Sequence, residues 1–306
     1  MPSWQNALLS FAIKSRLKRR PSDEMHHNVK RARSILSQMP GFATPPHRHH
    51  VSVHTHEDHH PVRGEWLKWK KKEHHSDKVL YFLHGGGYMA CSTITHRPLT
   101  VGLTQALRSD TFAIDYRLAP EHPFPAAVED ALAGYEWLLE QGISHKKMII
   151  AGDSAGGGLT LATMLAARDR GLPLPAASVC YSPWTDLAAT GESLHTNDPH
   201  DVMFYGESIR KGRHIYLGQA PPTNPLASPL YADLTGLPPL LLFASSTEVL
   251  LDDSTRLAHR AQAAGVHVDL QVWHGLPHAW PIFHRLLPEG KKAVHYTAEF
   301  VKRHVV

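Results

Sequence analysis

Ile149-Ile150-Ala151-Gly152-Asp153-Ser154-Ala155-Gly156-Gly157-Gly158 runs from an apolar segment into a glycine, places a serine two residues later, and continues in small residues suited to a helix. This is a G-x-S-x-G pattern in a strand, sharp turn and helix setting. Such a turn holds the serine in a strained backbone conformation, and only glycine-sized neighbours let the two segments pass closely. Ser154 is therefore a candidate nucleophile. A base, an acid and donors for an oxyanion must come from elsewhere in the chain.

Outward from that stretch, short apolar runs alternate with helical ones from Lys78 onward, the mark of a mostly parallel sheet flanked by helices. The predicted strands are 78–83, 111–116, 147–152, 176–181, 239–244 and 268–273. The predicted helices are 94–108, 124–141, 155–170, 253–264 and 289–304. Alternation lapses between Tyr181 and Leu237, so 183–236 reads as an inserted segment. Upstream, 49–56 and 63–69 pattern as a hairpin. Residues 3–20 and 23–38 read as two helices separated by Pro21. The expected organisation is thus an α/β chain with 1–45 as a helical cap segment, 46–306 as the catalytic unit, and 183–236 as a second cap element.

Composition agrees with a globular α/β chain: 306 residues, 42% hydrophobic and 20% charged. No apolar run reaches the roughly 20 residues that span a bilayer. Trp4–Ile13 is apolar but precedes its basic residues, the reverse of a signal peptide. Two cysteines cannot build a disulfide framework, so a cytoplasmic location is expected. Residues 1–72 hold 14 Lys/Arg against 5 Asp/Glu, although the whole chain is only +4. That excess reads as a solvated basic helix face, with no nucleic-acid partner and no stable membrane insertion. Seven histidines fall between His47 and His60. His54 and His56 share a strand face, but no ligand spacing for a metal is present. A solvated, pH-sensitive edge is expected there.

A serine hydroxyl needs a base. His278, in Gly275-Leu276-Pro277-His278, follows the last predicted strand and so sits at the carboxyl edge of the sheet, where Ser154 also lies. His274 and His284 are competitors. Glu248 follows the strand Leu240–Ala244 and is the candidate acid; Asp252 and Asp253 pattern as the capping start of the next helix. His84-Gly85-Gly86-Gly87 after the first parallel strand supplies backbone N–H groups free of Cβ crowding. Gly85, Gly86 and Ala155 are the expected oxyanion donors.

These residues resemble the bacterial hormone-sensitive-lipase-like esterases of the α/β-hydrolase fold. The matching motifs are His84–Gly87, the run Asp115–Ala127 (DYRLAPEHPFPAA), Gly152–Gly157 and Pro277-His278. The resemblance implies ester hydrolysis by a Ser154–His278–Glu248 triad, no metal or cofactor, a cap over the site, and a homodimer formed through the sheet edge near 268–273. Two departures stand out. Most members carry aspartate where Glu248 stands, with Asp252 as the fallback in this chain. Tyr88 replaces a frequent Phe or Trp and is expected to wall the pocket, together with Met203, Phe204 and Tyr205, and with Trp4 and Phe11. The expected substrates are short- to medium-chain acyl esters. A lactone is the alternative, from similarity to the branch that includes monoterpene lactone hydrolases; a catalytically silent binding protein is a third reading. The Asp115–Ala127 run is expected to be scaffold.

Overall fold

Apolar runs bounded by turns become the strands of a single sheet in the computed structural model, which describes residues 2–37, 47–48, 50–56, 62–71 and 75–305. The strands are β1 (His47–Arg48), β2 (Val51–His56), β3 (Gly64–Trp69), β4 (Val79–Leu83), β5 (Asp110–Ile114), β6 (Met148–Asp153), β7 (Ala177–Tyr181), β8 (Leu240–Ser245) and β9 (Val268–Trp273). Their spatial order is β1-β2-β3-β5-β4-β6-β7-β8-β9. The first three pairings are antiparallel and the remainder parallel. Every residue of β6, β7 and β8 is buried, because helices cover both faces.

Helices α1 (Trp4–Arg16) and α2 (Met25–Ser37) precede the sheet. Next come α3 (Thr93–Leu107), α4 (Ala126–Glu140) and α5 (Ala155–Asp169). The long connection from β7 to β8 holds α6 (Ser193–Thr196) and α7 (Gly206–Leu217), and α8 (Leu251–Ala263) and α9 (Pro288–His304) complete the chain. One core, with Leu132, Leu159 and Leu257, lies under α4, α5 and α8, and it extends to Val29 of α2 and Ile215 of α7. The other, with Leu103 and Phe300, lies under α3 and α9 and takes in Ile13 of α1.

The expected solvated histidine edge is partly corrected. His56 packs its ring 4.6 Å from Trp137 and 5.9 Å from Phe112, joining an aromatic cluster. His54 stays beside the Ser52 hydroxyl. His49, His59 and His60 lie outside the described residues. Among the described residues, no group of three or more His, Cys, Asp or Glu is placed to hold a metal ion.

The Asp115–Ala127 run does more than seat α4. The Asp115 carboxylate accepts the N–H and hydroxyl of Thr93 at the start of α3. Arg117 pairs with the buried Asp130. Glu121 takes both terminal nitrogens of Arg33 from α2, at 2.8 and 2.7 Å, while Arg33 Nε donates to Met89 O. A bidentate fork of this kind fixes orientation as well as distance. The run thereby pins α2 to the loop that follows the glycines.

Candidate active site

Ser154 stands between β6 and α5 with φ 53° and ψ −121°, a region costly for any residue with a Cβ. Its backbone is held from three sides. Its N–H donates to Tyr181 O (2.8 Å), and its carbonyl accepts from Trp184 N–H (2.9 Å) and Gly157 N–H (3.0 Å). The glycines around it answer to close backbone approach: a Cβ on Gly156 would lie 2.1 Å from Leu83 O, and one on Gly152 2.3 Å from Gly156 O.

Glu248 and His278 meet across the ends of β8 and β9. Glu248 Oε2 is 2.5 Å from His278 Nδ1, and its other oxygen accepts the Ser245 N–H at 2.7 Å. Ser245 also ties the two loops together, its hydroxyl donating to Leu276 O (2.6 Å) and accepting from Leu276 N–H. Both side chains are buried, and among the described residues His278 Nε2 has no hydrogen-bond partner. Burial pushes the His278 pKa down, but the hydrogen bond and charge of Glu248, with the charges of Asp201 and Asp153, outweigh it, so the net shift is upward. His278 and Ser154 line the same cavity.

The competitors are elsewhere. His274 pairs with Ser246 at the surface, and His284 packs against Gly102 of α3. Asp252 accepts the Ser193 N–H (2.9 Å), and its own N–H donates to the Ser193 hydroxyl (3.0 Å). Buried Asp253 accepts the N–H groups of Thr185 and Asp186. Neither carboxylate caps α8, whose N-cap residue Leu250 makes no side-chain capping bond; both instead fasten the 183–196 segment to the helix. Burial, its largest influence, raises Asp253 to about 8.

The glycine loop differs from expectation at one residue. The Gly85 N–H donates to Asp153 Oδ1 (3.0 Å) and so is already engaged within the protein. Gly86 and Gly87, at φ 115° and 64°, are the two that line the cavity, and among the described residues neither amide has a partner. The loop is braced from behind. His84 stacks on Tyr116 at 4.3 Å, and the Tyr116 hydroxyl donates to His84 O. Burial, then the neighbouring His96, lowers His84 to about 4, so its imidazole is neutral.

The cavity above Ser154 holds about 230 Å³. Leu17 and Ile35 from the N-terminal segment and Met203, Phe204 and Ile209 from the 183–236 segment contribute apolar walls. The Phe204 ring meets the His278 ring edge to face at 5.3 Å. Tyr88, Tyr205, Trp4 and Phe11 are not in the lining, which corrects four expectations. Tyr88 has φ 61° and is buried behind the wall, stacked on Tyr216 at 3.7 Å. Tyr205 lies under the Lys18 ammonium, 4.7 Å away. Trp4 and Phe11 face outward.

Two supporting residues carry no local sequence signal. Asp153 holds Gly85 and also contacts His96 Nε2 at 3.2 Å. It follows Gly152, whose pairing with Leu83 brings it to the glycine loop, so knowledge of the strand order would have found it. Asp201, from the 183–236 segment, accepts N–H groups from Met203 (2.7 Å), Phe204 (3.0 Å) and Val249 (2.8 Å), the residue after Glu248. No local pattern announces that role.

A mostly parallel sheet with a strained serine between a central strand and its helix is the architecture of the α/β-hydrolase fold. The sequence profile of that fold matches residues 80–282. An acetyl-hydrolase of Streptomyces hygroscopicus is 43% identical over 235 residues, 77% of this chain and 79% of the relative. An esterase of Acinetobacter venetianus is 37% identical over 240 residues, 78% of each. A crystal structure of an esterase from the bacterial hormone-sensitive lipase family matches with a TM-score of 0.89 at 40% identity, covering 100% of both chains. The chain belongs to that family and is a carboxylic ester hydrolase.

Proposed function

We propose a serine carboxylesterase that cleaves short- to medium-chain acyl esters through an acyl-enzyme. One observation carries the reading. His278 spends Nδ1 on Glu248, and its Nε2, without a partner among the described residues, belongs to the ring that lines the cavity with Ser154. His278 Nε2 takes the Ser154 proton as Oγ attacks the ester carbonyl, then returns it to the leaving alcohol as the C–O bond breaks. Water repeats the sequence on the acyl-enzyme and releases the acid. Glu248 holds the tautomer and stabilises the imidazolium. The oxyanion is assigned to the N–H groups of Gly86, Gly87 and Ala155, the last on the first turn of α5 where helix donors are unspent. Of the 1–45 segment, helices α1 and α2 act with 183–236 as the cap (38–45 lie outside the described residues), and Met203 and Phe204 bound the acyl side. The small apolar cavity favours modest acyl groups.

Ser154→Ala should cut turnover of p-nitrophenyl butyrate at least ~10⁴-fold with an unchanged circular dichroism spectrum. Substantial residual turnover refutes the assignment.

A further inference from the structure

Helix α1 meets the protein with one face only. Ser3 N–H and its hydroxyl donate to Glu289 (2.6 and 2.9 Å), Asn6 Nδ2 donates to Gly275 O (2.9 Å), and Ile13 is buried. Just beyond the helix, Lys18 Nζ donates to the carbonyls of Asp198 and Asp201. Ser3, Asn6 and Ile13 thus hold the inward face to the body.

The outward face carries Trp4, Leu8 and Phe11 at i, i+4 and i+7, with 70%, 62% and 77% of their surface exposed. Helical rotation sets these three in one row. It also places Lys14 and Arg16 on opposite flanks of that row, and no acidic residue occurs from Trp4 to Arg20. A contiguous row of large exposed apolar side chains on a docked helix marks an interaction surface.

We propose that α1 is an interfacial helix that lays Trp4, Leu8 and Phe11 into the surface of an anionic lipid layer, with Lys14 and Arg16 against its phosphates. Aromatic and aliphatic residues on one side and basic residues flanking them are the composition such a helix requires. Three side chains offer far less than the ~800 Å² per partner of a stable protein interface. The cationic flanks select an anionic surface over a neutral one. Leu17, Arg19 and Pro21, which follow α1 directly, line the cavity above Ser154. The docking helix thus ends at the entrance, and the cavity is presented to the lipid layer. This inference concerns attachment and stands apart from which ester is cleaved.

The test is co-sedimentation of the full-length protein with sucrose-loaded vesicles of phosphatidylglycerol and phosphatidylcholine, or of phosphatidylcholine alone. The protein should pellet with the anionic vesicles and stay in solution with the neutral ones. Trp4→Ser/Leu8→Ser/Phe11→Ser should lower the partition coefficient at least ~10-fold while hydrolysis of a soluble p-nitrophenyl ester is unchanged, and Lys14→Gln/Arg16→Gln should weaken binding to anionic vesicles. Equal pelleting of the triple variant and wild type, or no pelleting of wild type, overturns the proposal. So does sedimentation velocity showing a wild-type dimer that the triple variant dissolves, since a second copy would then cover the row.

Discussion

Glu248 Oε2 lies 2.5 Å from His278 Nδ1, with both side chains buried and the second carboxylate oxygen held by the Ser245 N–H. Four residues later, Asp252 spends its carboxylate on Ser193. Glu248→Gln is therefore expected to lower kcat/KM by ~10³–10⁴, since an amide cannot stabilise the imidazolium. Asp252→Ala should leave the rate within ~10-fold and instead cost ~1–2 kcal/mol of stability by stranding the Ser193 N–H. Steady-state kinetics and thermal melts on the two variants separate the roles; a larger rate loss in Asp252→Ala reverses the assignment.

If His278 is the base, as proposed, its upward shift sets the acid limb of the pH profile. The base works only as neutral imidazole, so activity is lost as pH falls through its pKa. That limb should lie above the ordinary 6.5 in a kcat/KM profile. Removing the carboxylate charge in Glu248→Gln leaves burial as the main influence, and burial lowers the pKa. The residual activity of the variant should therefore persist to lower pH, and a limb that stays in place would refute the cause given.

Backbone strain at Ser154 makes a third expectation. Glycine occupies φ 53°, ψ −121° without a Cβ penalty. Ser154→Gly should be inactive yet more stable by ~1 kcal/mol, the strain relieved exceeding the added freedom of the unfolded chain. For a chain of this size that is a rise in Tm of about 2 °C. Differential scanning fluorimetry on wild type and variant measures it, and a lower Tm contradicts it.

Asp153, on the cavity lining beside Ser154, tethers the glycine loop through the Gly85 N–H. Asp153→Ala should reduce kcat ~10–100-fold, with KM within ~3-fold, because Gly86 and Gly87 lose their fixed placement. Asp153→Asn keeps an acceptor for the Gly85 N–H and should recover much of the loss. Equal damage in both variants would point to a general packing defect instead.

The sheet was legible from its apolar runs because those strands are buried on both faces and leave continuous signatures. Ser154, Glu248 and His278 were legible for another reason: each sits on a turn immediately after a strand, where chain order alone places it at one edge. Side-chain and amide direction was not legible. Gly85, Gly86 and Gly87 are identical in sequence, yet the carboxylate of Asp153, 68 positions away, engages only the first. Tyr88 and Tyr205 adjoin residues that do line the cavity, but a left-handed turn and a cation above the ring send them elsewhere. His56 sits on an edge-patterned strand, yet its ring packs against Trp137 from a distant helix, which strand alternation cannot show.

Asp201 has a consequence for how this enzyme can change. It grips Met203 and Phe204 by their amides while gripping Val249, beside Glu248, in the same way. The side chains of Met203 and Phe204, which we propose bound the acyl side, are thus free to vary without loosening Glu248, the proposed partner of the base. Substrate range can drift by exchanging those two side chains one at a time. Shortening or lengthening the segment around them would disturb the catalytic machinery together with the pocket.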